Sequence, residues 1–179
     1  MTPELENVSQ NLIGHARKML HWARKMSPEQ LDFTYHQAAP TTRTLVTHAW
    51  QWLACDRQHI EQADASKHTL ITEAPSDPLA LFAEFEAEID RWQALLAELT
   101  EEKLAEIRHQ FNDTGFDWSV RGCVYHMLQN VLYKHGQLSY LAFAFGLDGT
   151  DPYEAPFPNP IYKEVFGEGH YIVPPSDGG

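Results

Sequence analysis

The sequence predicts an all-α fold, a four-helix bundle, on three observations. Apolar residues recur at intervals of three and four along most of the chain. Pro together with Ser, Thr or Asp punctuates those stretches, and no run reads convincingly as a strand. With 179 residues, 43% of them hydrophobic, the chain supports one core without disulfide or metal staples.

The first helix is predicted over residues 3–25, where Leu5, Val8, Leu12, Ala16, Met19 and Ala23 form one stripe. Pro3 suits the first helical position, and Ser27-Pro28-Glu29-Gln30 both ends the helix and caps one short turn. The second helix follows Pro40 and runs to about residue 63. The third opens at Ser76-Asp77-Pro78 and carries Phe82, Phe85, Ile89, Trp92, Leu96 and Leu99 on one face. A short helical piece over 101–108 leads to a loop at Asn112-Asp113-Thr114-Gly115. The fourth helix begins near Trp118 and ends near Phe145, where Gly146 stops it. The 64–77 connection exceeds what a tight antiparallel turn needs and is long enough to cross the bundle.

Residues 1–146 therefore form the bundle, and the composition changes at 147–179. Pro156-Phe157-Pro158-Asn159-Pro160 excludes helix there. Tyr153, Phe157, Tyr162 and Phe166 point to a non-helical strap packed on the same domain.

A net charge of −12 and the lack of any basic cluster exclude a nucleic-acid partner and an anionic membrane surface. The first ten residues carry Glu4 and Glu6 without an apolar core, so no leader is expected, and the chain is expected in the cytoplasm. Cys55 and Cys123 fall within predicted helices among apolar neighbours and are read as free structural thiols.

Polar residues inside the apolar arcs mark a candidate site. On the fourth helix Val120, Cys123, Met127, Val131, Leu138, Leu141 and Phe145 share one arc, and Lys134 falls inside it. Asn130 lies on its edge, with His126, Tyr133 and Gln137 further round as a polar margin. On the second helix His48, Trp52 and Asp56 rise along one face, with His59 beyond, and Asp56 lies in the core arc. A buried carboxylate needs a cation or several donors; Lys134 either snorkels past its neighbours to solvent or turns inward, where it is the cation expected to pair with Asp56. His48, Lys134 and Asp56 are the candidate catalytic residues. Asn130, Trp52, His126, Tyr133 and Gln137 are the candidate ligand-binding residues. His135 lies about 180° round the helix from His126, so the two cannot share one metal. His15, His21, His36 and His68, together with His109 and His170, show no ligand spacing and are assigned surface or capping roles.

The run Thr44-Leu45-Val46-Thr47-His48-Ala49-Trp50-Gln51-Trp52-Leu53 resembles the second helix of the DinB-like, or YfiT-like, proteins. The stretch from Trp118 to His135-Gly136-Gln137-Leu138 resembles their fourth helix, with its Gly-Gln pair. The likeness extends over about residues 3–146. It implies a four-helix bundle, a homodimer, and a divalent metal held by one histidine of the second helix and two of the fourth. His48 matches the first of these, whereas the other two positions hold Asn130 and Lys134. Asn130 offers one neutral oxygen and the Lys134 ammonium has no lone pair, so the three-histidine site is expected to be lost. No cofactor is therefore expected, the alternative being zinc or nickel on His48, Asp56 and Asn130. The resemblance implies a small-molecule hydrolase or transferase. The alternatives are a non-catalytic protein that binds a small anionic ligand and a structural, stress-associated dimer.

Overall fold

The computed structural model describes residues 2–69, 73–108 and 117–147. The loop expected at 112–115, His109, His170 and the strap expected over 147–179, apart from Leu147, lie outside the described residues. Four long helices dominate: α1 (Pro3–Lys25), α3 (Thr42–Glu61), α4 (Pro78–Glu98) and α6 (Val120–Ala144). Between them lie the single turn α2 (Pro28–Leu31), a 3-10 turn at Ala65–Lys67, the short α5 (Glu101–Ala105), and the two-residue strands β1 (Ile107–Arg108) and β2 (Trp118–Ser119).

Each α-helix starts at a side-chain cap. Thr2, Ser27, Thr41, Asp77, Thr100 and Ser119 each accept a backbone N–H from the first turn, satisfying donors that the helix itself leaves open. Ser27 and Gln30 complete a capping box in α2. At the far end of the bundle Gly146 takes φ of +67°, the left-handed geometry that closes a helix C-terminus.

The apolar stripes meet in one core, with Trp22, Phe85 and Trp92 among its largest fully buried side chains. The Trp92 indole N–H is satisfied by the Leu53 carbonyl at 2.7 Å, which ties α4 to α3. On the same interface the fully buried Glu88 receives Arg57 at 2.5 Å and Arg91 at 2.7 Å.

α1 packs against α4 and α6, α3 also packs against α4 and α6, and α1 touches α3 over only a small area. Successive helices α1 and α3 thus stand at opposite corners, and so do α4 and α6. The expectation for the 64–77 connection is corrected: α3 and α4 are neighbours, so that link does not cross the bundle. Crossing falls to the segments joining α1 to α3 and α4 to α6.

The second of these crossings also holds the short strands that the sequence did not reveal. Ile107 pairs with Ser119 and Arg108 with Trp118, antiparallel, where helix had been expected as far as residue 108. Two residues carry no readable periodicity, and their pairing depends on where the bundle places them. Arg108 is buried and donates to the His59 and Ile60 carbonyls at 2.8 Å each. It thereby caps the C-terminus of α3, where a cation also complements the helix dipole. No described helix is long and apolar enough to cross a membrane.

Candidate functional site

The interface between α3 and α6 holds a cluster of polar groups that runs from the buried core to an exposed rim. Asp56 occupies a core-facing position of α3 and is only 2% exposed. Its Oδ2 accepts from His126 Nδ1 on α6 at 2.8 Å. Burial pushes the Asp56 carboxyl up, and the hydrogen bond and charge of His126 pull it back. The same hydrogen bond raises His126, against the opposing effects of burial and of the Lys134 charge. Because the carboxylate holds Nδ1–H, Nε2 is the nitrogen left for chemistry on a side chain that is 29% exposed. Trp52 and Trp118 flank the imidazole edge-on, with ring centroids 5.4 and 5.2 Å away.

One turn along α3, the Trp52 indole N–H donates to His48 Nε2 at 2.6 Å. His48 lies at the exposed rim, and burial followed by the Lys134 charge lowers its pKa. Lys134 is 5% exposed and donates to Asn130 Oδ1, its i−4 neighbour on α6. Desolvation lowers its pKa to about 8. The ammonium acts electrostatically on both His48 and His126, so it belongs to the same cluster.

The expected Asp56–Lys134 pair is corrected. Asp56 takes His126, and Lys134 takes the neutral Asn130 amide. That Asp56 required a partner followed from its place in the core arc. The choice of His126 depended on the register of α6 against α3, which no local pattern encodes. Trp118, which the sequence marked only as a helix start, also joins the cluster through His126.

Tyr133 and Gln137 fall elsewhere. With Tyr35, Leu45, Gly136 and Tyr140 they line an open groove of about 570 Å3. Among the described residues its lining includes none of His48, Asp56, His126, Asn130 or Lys134. The cysteines are free, as expected, and burial pushes the thiols of Cys55 and Cys123 up to about 11 and about 12, away from nucleophile chemistry.

His15 departs from its expected surface role. Its Nδ1 meets Nδ1 of His135 at 3.2 Å between α1 and α6, and Ser139 Oγ lies 3.1 Å from His135 Nε2. Contact between residues 120 positions apart leaves no trace in local spacing. His36 is exposed and accepts from the Ala38 N–H within a turn, and His68 meets the carbonyl of Gln62, the C-cap residue of α3.

Residues 11–138 match the family profile of the DinB superfamily. Among solved structures, a DinB-like protein, YjoA, from Bacillus subtilis is similar at 18% identity, covering 78% of this chain and 92% of that one, with a TM-score of 0.63. YfiT from Bacillus subtilis, described as a probable metal-dependent hydrolase with an unusual four-helix bundle topology, is similar at 17% identity. That likeness covers 82% of this chain and 90% of YfiT, with a TM-score of 0.64. No curated protein matches.

Two features at His48 weigh against a divalent metal held there. His48 Nε2 is occupied by the Trp52 N–H, and the buried Lys134 ammonium beside it repels a dication. Among the described residues no three His, Cys, Asp or Glu side chains form a group able to hold an ion.

Proposed function

The chain belongs to the DinB superfamily, and we propose that it is a small-molecule hydrolase or transferase whose acid–base group is His126, oriented by Asp56. The observation that carries this reading is the 2.8 Å hydrogen bond from His126 Nδ1 to a carboxylate that is otherwise sealed in the core.

A buried carboxylate on Nδ1 fixes the tautomer, so that Nε2 holds the lone pair. Nε2 then removes a proton from the attacking water, hydroxyl or thiol and returns it to the leaving group. Asp56 stabilises the imidazolium formed between those two events. Its negative charge keeps His126 basic, while Lys134 opposes this and tunes the group from the other side. Trp52 and Trp118 restrict rotation of the ring by packing on two of its sides.

The test is the hydrolysis of p-nitrophenyl acetate and of activated amide and thioester analogues. His126→Gln is expected to lower kcat/KM by ~100-fold or more, the usual scale for losing a general base. Asp56→Asn is expected to shift the acidic limb of the pH–rate profile to lower pH, since it removes the charge that raises His126. Unchanged rates in His126→Gln on every substrate the native chain turns over would sink the proposal. An inert native chain would favour the non-catalytic binding alternative.

A further inference from the structure

Lys134 is a buried cation whose partner is neutral. Its side chain is 5% exposed, and its ammonium donates to the Asn130 amide oxygen. Among the described residues no carboxylate contacts it, and Asp56 on the facing helix is turned to His126. Burying an ammonium without a counter-charge is costly, whereas a methionine of similar length would fill the same space without that penalty. Desolvation accordingly lowers the Lys134 pKa to about 8. Packing therefore does not account for a charge at this position.

We propose that Lys134 anchors a binding site for a compact oxyanion, a carboxylate or phosphate group, which supplies the counter-charge that the described residues do not. Two of the three ammonium N–H donors remain for it once Asn130 is served. With Oδ1 turned to the ammonium, the Asn130 amide nitrogen adds donors at the same point. His48 is exposed and Asn130 half-buried, so an approaching group would reach Lys134 from their side of the α3–α6 interface. The overall charge of −12 gives no long-range attraction for an anion. Recognition must come from these short-range contacts. The inference concerns binding alone, and it stands or falls separately from the acid–base role of His126.

The experiment follows the thermal denaturation midpoint of the full chain at neutral pH in acetate, in phosphate and in chloride at matched ionic strength. A ligand that binds only the folded state raises the midpoint with its concentration. The native chain is expected to respond to acetate, to phosphate or to both, and which of them acts identifies the carboxylate or the phosphate as the source. Lys134→Met and Lys134→Gln are expected to weaken that affinity by more than ~10-fold, while Lys134→Arg keeps the response. If the neutral variants prove poorly folded, the chemical shift of the Lys134 ε-carbon in the native chain reports the same contact directly. No response of the native chain to either anion would overturn the inference, as would an equal response in Lys134→Met.

Discussion

His15 and His135 face each other across the α1–α6 interface, Nδ1 to Nδ1 at 3.2 Å, so one ring must donate the proton that the other accepts. Such a pair is held together only while at least one imidazole is neutral. Burial, then the charges of His15 and Lys18, bring His135 down to about 3, and burial followed by Lys18 lowers His15. The unfolded chain, where a histidine titrates near ~6.5, binds more protons than the folded one in the window between. The stability from this pair is full above about pH 6.5 and is lost as pH falls toward about 3. Urea denaturation from neutral pH downward is expected to show a steeper loss in the native chain than in His135→Gln. Parallel curves would mean that the pair does not carry the acid sensitivity.

The cluster around His48 makes a prediction about metals. The native chain is expected to take up no zinc or nickel that is lost on His48→Ala, because Trp52 occupies Nε2 and Lys134 repels the ion. Residues 130 and 134 lie one turn apart on the same face of α6, and the Lys134 charge already reaches His48. Asn130→His with Lys134→His is therefore expected to bind about one zinc per chain, with His48 as third ligand, by equilibrium dialysis and elemental analysis. Zinc bound to the native chain and released by His48→Ala would contradict this account of the site.

Arg108 forks onto two carbonyls at the end of α3, and charge-assisted hydrogen bonds of this kind are worth about 1.5–3 kcal/mol each. Arg108→Ala is expected to destabilise the fold by roughly 3 kcal/mol or more, measured from the urea midpoint at unchanged slope. Arg108→Lys should recover only part of this, since a single ammonium cannot reproduce the planar fork. A loss below about 1 kcal/mol in Arg108→Ala would show that water replaces the cap.

Gly136 lies within α6 at the edge of the tyrosine-lined groove, and a Cβ placed there meets no atom within 4 Å. With room for the methyl and ordinary helical backbone, Gly136→Ala is expected to stabilise by about 0.5–1 kcal/mol through helix propensity alone. Destabilisation in this variant would reveal a close approach to the groove that the described residues do not contain.

The helices were legible because their signals are local. Pro3, Pro28 and Pro78 mark starts by chemistry that acts within three or four residues, and the stripes of α1 and α4 repeat over the same distance. The inward placement of Asp56 and Lys134 followed from the same periodicity, and both prove buried. Tyr133 and Gln137 were grouped with them only by their place on a wheel. A polar margin wide enough to span two faces does not say which neighbouring element each side chain will meet.

The amino-acid sequence by itself determined the helical class, most of the helix boundaries and the presence of buried charge between the apolar stripes. The tertiary structure decided which corner each helix occupies, and so which segments cross the bundle. It also decided that Asp56 meets His126 instead of Lys134, that His15 meets His135, and that Ile107–Arg108 pairs with Trp118–Ser119 as strands. The physical reason is a difference of range. Backbone hydrogen bonds and side-chain periodicity are settled over one or two turns. The register of one helix on another is settled by the packing of whole faces, and a shift of a single turn there exchanges every partner across the interface.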